Sequence, residues 1–318
     1  MMHFDLHTHR ARYRVDPTQT ITLRRRYLAD MMRRFRELAH VIRVAIEERD
    51  VFGLQKRRGG SIFAQQSRWE EGLYPPGVKL RVNVEPPGRG AFDFPRSDEK
   101  VRAFMDWIQQ QQQQGILERT YGSSRSISGA TAWQDVYLQS AYQKGLSRAA
   151  SEMRKAGAKV EQSWVDAAFH RPLHADRAGL IYTRAYQDLQ GVTSQMDAAL
   201  SRELAQGIVE GIGARQLTKR LVDKVGMAAK RAGVIARTET IRAHAEATLN
   251  GFEEAGVEGV EVEAEFSTSR DNAVCPKCEE LEGRVFKLRE ARGLIPVHPN
   301  CRCAWIPIVT TPQGLVLR

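Results

Sequence analysis

The residues best suited to chemistry lie near the C-terminal end of the sequence, where all four cysteines of the chain form two tight clusters. The first cluster is Cys275-Pro-Lys-Cys278, and Cys301-Arg-Cys303 follows about twenty residues later with His298 three positions ahead of it. Thiolates are soft ligands, and a Cys-x-x-Cys turn directs two sulfurs at one point, so this spacing is typical of a tetrahedral zinc site. Five candidates compete for four positions. An all-cysteine site and a site of three cysteines with the histidine both remain open.

A zinc ion whose four positions are all filled by protein has no fixed water to activate, so such a site is structural rather than catalytic. We therefore predict a zinc knuckle that closes a small C-terminal domain. The competing interpretation is that the thiols are incidental, either free or paired with one another. Clustered cysteines favour metal ligation over disulfides in a reducing compartment.

Two other stretches contain residues that enzymes use. Asp5-Leu-His-Thr-His9 is similar to the opening motif of a family of metal-dependent phosphoesterases, in which paired histidines hold a catalytic metal. Those enzymes need further ligands on alternating strands and helices, a pattern that this sequence lacks. His170 and His174 are four residues apart, but Pro172 between them argues against one regular helix, so both are expected at the surface.

The segment Arg237-Thr-Glu-Thr240 precedes the cysteine clusters. Glu239, Arg242 and Glu246 fall on adjacent helical turns, which favours ion pairs on a helix surface. The alternative is a catalytic glutamate with a positioning arginine. Since no Ser-His pair or paired carboxylates can be identified nearby, the structural interpretation is favoured.

Length and charge limit the classes of protein to consider. The chain has 318 residues, 42% of them hydrophobic, which allows two domains or one domain with extended helical arms. Its net charge of +10 and pI of 9.6 favour a polyanionic partner such as nucleic acid, although basic assembly proteins that do not bind DNA are equally compatible. The sequence has no apolar run of 18 residues and no signal-peptide pattern at its start, so we expect no membrane anchor and a cytoplasmic origin.

Apolar residues between Tyr27 and Ile46 recur at three- and four-residue intervals, which predicts an amphipathic helix of about 28 residues. Its expected polar face is rich in arginine. We regard these arginines as candidates for contact with nucleic acid or a protein partner, with a solvated face as the alternative. They are Arg24, Arg25, Arg26, Arg33, Arg34, Arg36 and Arg43.

The remaining periodicity predicts a mainly α protein with elongated helices and a small C-terminal α+β zinc-knuckle domain. We expect a helix capped by Ser97 and ended by Gly115, after a strand at 78–84. Further helices are expected at 132–153, 172–208, 217–225 and 227–254, followed by antiparallel strands at 260–266, 283–288 and 304–309 packed on the preceding helix. The predicted segments are a basic helical arm (1–60), a Pro- and Gln-rich extended or linker region (61–120), a long-helix region (121–230) and the cysteine-containing domain (231–318).

Together these motifs resemble a known family. Ile235-Ala-Arg-Thr-Glu-Thr, Asp271-Asn-Ala-Val-Cys-Pro-Lys-Cys, Gly283-Arg-Val-Phe and Pro296-Val-His-Pro-Asn-Cys-Arg-Cys are similar to the head-morphogenesis domain of tailed bacteriophages. This is the family of the phage Mu F protein and related minor capsid proteins. The resemblance covers about residues 190–310 and is carried most specifically by the combination of the two cysteine clusters.

The resemblance implies a minor head protein with a structural, non-enzymatic role at the portal or capsid in prohead assembly and in DNA packaging or ejection. It places the metal ligands among Cys275, Cys278, His298, Cys301 and Cys303. The implied partners are the portal protein, the major capsid protein or both, with packaged double-stranded DNA as a further candidate, and multiple copies are expected in a symmetric assembly. The expected location is the virion head, and the host cytoplasm during assembly.

Two alternatives come from other classes. The C-terminal domain would act as a nuclease or transferase on nucleic acid in the first. In the second, the chain would be a stand-alone DNA-binding zinc protein of the host.

Overall fold

The computed structural model describes residues 16–54, 86–121, 130–156, 158, 160, 162–168, 171–255, 261–310 and 316–317. The phosphoesterase-like motif at 5–9, the strand predicted at 78–84 and His170 lie outside the described residues.

Helices dominate the described part of the chain, as predicted. They are α1 (Ile21–Arg43, continued by a π-helical turn at Val44–Glu48), α2 (Ser97–Gln114), α3 (Asp135–Lys155), α4 (Gln162–Ala168), α5 (Pro172–Glu210), α6 (Ala214–Ala255), α7 (Pro276–Glu279) and α8 (Leu288–Ala291). The strands are β1 (Arg119–Tyr121), β2 (Ala130–Ala132), β3 (Glu261–Ser267), β4 (Val285–Lys287), β5 (Ala304–Thr310) and β6 (Val316–Leu317). Strands β1 and β2 pair with each other, and the other four form one antiparallel sheet in the order β4-β3-β5-β6.

The predicted amphipathic helix is confirmed by α1 and its π-helical extension, which together span Ile21 to Glu48. Its apolar stripe is buried, with Tyr27, Met31, Phe35 and Ile42 each no more than 1% exposed. Helix α2 ends at Gly115, as predicted, but Ser97 is its first helical residue and Arg96 precedes it as the cap. A difference of one residue is the usual uncertainty of a helix boundary.

The longest helices extend further than their sequence signals suggest. Helix α5 begins at Pro172, as predicted, and continues without a break to Glu210. The prediction of two helices separated near Gly226 is wrong, because α6 is a single helix from Ala214 to Ala255. A glycine inside a helix costs only about 1 kcal/mol relative to alanine. The buried residues Val225 and Ala229 on either side of Gly226 keep the same helical face packed.

The chain forms two compact units, each built from separated stretches. One contains the described residues of 1–30, 120–188 and 232–318, and the other contains those of 31–119 and 189–231. Helices α1, α5 and α6 contribute residues to both units. The four-segment division expected from the sequence stays a prediction.

The C-terminal sheet belongs to the first unit and packs on α6, as predicted. Leu249 and Phe252 of α6 lie in one buried cluster with Phe266 of β3 and Trp305 of β5. The rings of Phe266 and Trp305, which are paired in the strand register, meet edge to face at 5.5 Å. This aromatic contact fixes the sheet close to the two cysteine clusters, whose Cys278, Cys301 and Cys303 belong to the same core.

Helix α3 completes that core from another direction. Ala149 and Met153 of α3 lie in the cluster. The approach of α3 to α6 is so close that a Cβ atom on Gly145 would overlap the backbone oxygen of His244. Only glycine permits this packing of the two helices.

Candidate metal centre

The structure brings all five predicted ligands together around Cys278. The ligand atoms of Cys275, Cys278 and His298 lie within 4.8 Å of one another, and so do the sulfurs of Cys278, Cys301 and Cys303. Every cysteine is a free thiol. Soft sulfur and imidazole donors at these separations are the donor set that zinc binds in structural sites. The cluster is therefore able to hold a metal ion.

The first ligand segment is a turn fixed by its own sequence. Cys275 caps the short helix α7, and its sulfur accepts a hydrogen bond from the backbone nitrogen of Cys278 at 3.4 Å. Pro276 occupies the first helical position, where its missing N–H group costs nothing. The turn thus presents both sulfurs on one side, with Cys278 buried and Cys275 half-buried.

The second ligand segment contributes an imidazole whose tautomer suits a ligand. The Nδ1 atom of His298 donates to the carbonyl oxygen of Pro299 at 2.8 Å. In the neutral imidazole this tautomer places the lone pair on Nε2, which lies 3.3 Å from the sulfur of Cys278. Metal-binding histidines commonly hold the non-ligating nitrogen in such a hydrogen bond, because it fixes both the tautomer and the ring orientation.

The pKa values of the thiols favour the binding of a cation. A hydrogen bond from Cys303 lowers the pKa of Cys301 to about 5. Burial, followed by the charge of Cys301, raises the pKa of Cys278 to about 12. The hydrogen bond to Cys301 and burial also raise the pKa of Cys303. One thiolate thus forms readily and discourages the next, so a nearby cation is needed to deprotonate the whole set.

An ion pair joins the two ligand segments. The guanidinium of Arg302, between Cys301 and Cys303, forms two hydrogen bonds of 2.5 and 2.6 Å with the carboxylate of Asp271, just ahead of the first segment. The hydrogen bonds from Arg302 lower the pKa of Asp271, and those to Asp271 raise the pKa of Arg302. Bidentate pairs of this type fix geometry as well as contributing energy.

Helix α6 contacts the second segment through residues that the sequence analysis assigned to no such role. The Nε atom of Arg237 donates to the side-chain oxygen of Asn300 at 2.6 Å, and the backbone nitrogen of Asn300 donates to the hydroxyl of Thr238 at 3.2 Å. Arg237 and Asn300 both lie in motifs that carry the family resemblance. The spacing of those motifs does not reveal that two residues 63 positions apart are in contact.

The ion pair expected one turn further along α6 is present, but it is not at the helix surface, because Glu239 is only 2% exposed. Arg242 donates to Glu239 at 3.1 Å, three residues apart. Burial raises the pKa of Glu239, and Arg242 offsets part of the shift. Glu246 instead bonds the backbone nitrogen of Gly293 and pairs with Arg292, so it also holds the sheet domain to the helix.

The arginines predicted for the polar face of α1 do not form one exposed stripe. Arg24 and Arg34 are buried, contrary to the expectation, and both have protein partners. Arg24 pairs with Asp16 at 2.9 Å, and Arg34 pairs with Glu118 at 2.8 Å and also donates to the carbonyl of Gly115. Long arginine stems pack among apolar groups, which explains why helical periodicity misplaced them.

The other arginines of this set differ in exposure. Arg33 is half-buried and pairs with Glu37 at 2.9 Å. Arg25, Arg26 and Arg36 are exposed. The surface available on α1 for an anionic partner is therefore reduced mainly to these three exposed side chains.

The prediction that His174 lies at the surface is wrong. Its side chain is fully buried, with Nδ1 2.9 Å from the hydroxyl of Tyr142 and Nε2 2.9 Å from the carboxylate of Glu254. Asn250 donates to the same hydroxyl at 2.7 Å. His174 lies in the first turn of α5, where its ring contacts Tyr142 of α3 and Glu254 of α6, while Leu173 beside it is exposed.

None of the described helices is long and apolar enough to span a membrane.

Comparison with protein families confirms the predicted resemblance. Residues 198–306 match the family described as phage Mu protein F like protein. The matched stretch is about a third of the chain and includes β3, β4 and the start of β5, all five candidate ligands, and Arg237 and Thr238 on α6. No curated protein and no solved structure matches the chain.

Proposed function

We propose that this chain, whose residues 198–306 match the phage Mu protein F like family, is a structural minor protein of a tailed-phage head. The family match is the observation that carries the proposal. Support comes from its position, because the match covers the convergent cysteines and histidine together with the helix that packs beneath them. The proposed role is in head assembly and DNA packaging or ejection, at the portal or the adjacent shell.

The proposed cofactor is a structural zinc ion held by Cys278 and three of the other four ligands. Support comes from the donor chemistry, since thiolates and one correctly oriented imidazole surround Cys278. When bound, zinc supplies a cross-link between the two ligand segments and the positive charge that their thiolates require. A four-stranded sheet with strands of two to seven residues buries too little surface to be stable alone, so such a cross-link stabilises it.

The number of donors supports a structural rather than a catalytic role. Five protein donors lie in two groups that share Cys278, and an ion that takes four of them would have no position left for substrate or water. Glu239, the one glutamate considered earlier as a catalytic residue, is only 2% exposed and bonded to Arg242. Both observations support a protein that builds structure.

The proposed partners are the portal protein or the major capsid protein, and packaged DNA. The overall charge of +10 and the exposed Arg25, Arg26 and Arg36 support an anionic partner. We also propose that several copies of the protein assemble with the symmetry of the head vertex.

The test is to purify heads from a phage that carries this gene and to measure the protein in them. We expect the protein at a small fraction of the major capsid protein, retained after nuclease treatment, and we expect deletion of the gene to reduce the yield of DNA-filled heads. Its absence from both proheads and filled heads would contradict the proposal. Degradation or modification of DNA or RNA by the purified protein, lost in Glu239→Ala, would favour the enzymatic alternative instead.

A further inference from the structure

Asn300 connects the proposed metal centre to helix α6. It lies between His298 and Cys301, and its side-chain oxygen accepts from Arg237 at 2.6 Å while its backbone nitrogen donates to the hydroxyl of Thr238 at 3.2 Å. Two different atoms of one residue therefore contact adjacent residues of the helix. A pair of contacts restrains the orientation of the segment, whereas a single contact would leave it free to rotate.

The backbone of Asn300 explains why an asparagine serves here. Its φ of +63° is in the left-handed region, which favours glycine and, among residues with side chains, asparagine. Glycine would satisfy this turn but would offer no acceptor to Arg237. Asparagine provides both the turn that follows His298 and the bond to the helix.

Helix α6 is a rigid support for this contact. Ile241, Ala245 and Leu249 follow Arg237 along the helix and are buried in the core shared with β3 and β5. Arg237 and Thr238 are half-buried at the edge of that core. Besides the ligand cysteines, this core contains Phe266 and Trp305 of the sheet. The helix therefore has apolar packing partners that are not metal ligands, and it can hold the ligand segment in turn.

We propose that Arg237 and Thr238 are positioning residues for the metal centre, which hold His298–Cys303 in its ligating conformation so that metal binding and docking of this segment on α6 reinforce each other. The inference rests on the proposed metal-binding function of the cluster. It goes beyond that function by assigning part of the metal affinity to residues that cannot ligate the ion.

The Asp271–Arg302 ion pair has a different task. It joins the two ligand segments to each other, at 2.5 and 2.6 Å, whereas Arg237 and Thr238 join the second segment to the helix. Loss of the Asn300 contacts should therefore loosen the segment from α6 even when the ion pair is intact.

The test measures zinc affinity of the full chain by competition with a chelator of known affinity. The variants are Asn300→Gly, which keeps the left-handed turn and removes the acceptor, Arg237→Gln, and the double variant. Arg231→Gln is the matched control, because it removes the same charge from the same helix and its partner is Gln195. We expect about 10-fold weaker zinc binding in each single variant, since residues that orient ligands typically contribute 10- to 100-fold.

The double variant decides whether the two residues act through one contact. If they do, its affinity is close to that of the single variants, because the second change removes nothing further. The proposal would be overturned if the fold losses of zinc affinity in the two single variants multiplied in the double variant. It would also be overturned if both single variants bound zinc with wild-type affinity. If the wild-type chain binds zinc in that case, the positioning role is contradicted but the metal centre is not. If the wild-type chain binds no stoichiometric zinc, both the positioning role and the metal centre are overturned.

Hydrogen exchange provides a second readout that does not depend on one variant folding well. Zinc should slow amide exchange of residues 298–303 in the wild-type chain, and this protection should be reduced in Thr238→Val, which removes the hydroxyl acceptor while preserving shape. Equal protection by zinc in the wild-type chain and in Thr238→Val would contradict the inference.

Discussion

The Cys/His cluster and helix α1 both contain several side chains that can bind an ion or a charged partner, but the structure arranges the two sets differently. The five candidate ligands come from two segments and converge around Cys278. The arginines of α1 come from one helix and diverge, so that Arg24 and Arg34 are buried in ion pairs while Arg25 and Arg26 face solvent. Side chains from two separate segments meet only when the chain folds, so their convergence indicates a binding site. Like side chains that follow one another on a single helix give no such indication.

The largest effect is expected from Cys278→Ala, since Cys278 belongs to both groups of ligand atoms. We expect loss of stoichiometric zinc and destabilisation of the sheet by at least about 5 kcal/mol, because structural zinc contributes roughly 10–16 kcal/mol in small zinc-binding peptides. Metal analysis and amide exchange of β3 and β5 measure both effects, and chelation of the wild-type protein should reproduce them reversibly.

Lys277→Ala is the matched control, since this exposed residue lies in the same turn. It should leave zinc content unchanged. A Cys278→Ala protein with wild-type protection of β3 and β5 would show that the sheet does not depend on the cluster, and the contrast with α1 would disappear.

An intermediate effect is expected from Arg34→Met, which keeps the packed stem of a 1% exposed residue and removes its guanidinium. The carbonyl of Gly115 then loses the hydrogen bond from Arg34, and the half-buried Glu118 loses its ion pair with Arg34. We expect a loss of about 2–4 kcal/mol in the free energy of unfolding, measured by urea denaturation.

Arg25→Met is the matched control on the same helix. It should change the free energy of unfolding by no more than about 0.5 kcal/mol, because its side chain is exposed. Equal costs for the two variants would mean that the distinction between buried and exposed arginines on α1 has no energetic basis.

The same contrast explains how much could be predicted from the sequence. Apolar periodicity located α1, α2 and α5, and the change to alternation after α6 located β3, because these patterns report directly on which face is buried. The cysteine spacing identified the side chains that converge around Cys278, because paired cysteines at this spacing are typical of a metal site.

What the sequence did not reveal depends on contacts between distant segments. Gly226 looked like a helix break, but packing on both sides of it outweighs its small cost. His174 and Arg34 looked polar and therefore exposed, whereas both are buried and contact residues far along the chain. The contact of Arg237 with Asn300, across 63 positions, has no local signature at all.

The smallest effect is expected from the exposed arginines of α1, whose proposed partner is DNA. Replacing Arg25, Arg26 and Arg36 by glutamine should leave folding intact and weaken binding to a DNA duplex. Each phosphate contact contributes about 0.9 to the slope of log affinity against log salt concentration, so we expect the slope to fall by about 2 to 3. Fluorescence anisotropy across a salt series measures this slope.

The matched control replaces Arg215, Lys219 and Lys230, three exposed basic residues of α6. A slope reduced equally by both triple variants would indicate a response to overall charge alone, and salt-independent binding by the wild-type chain would remove DNA as the partner of α1.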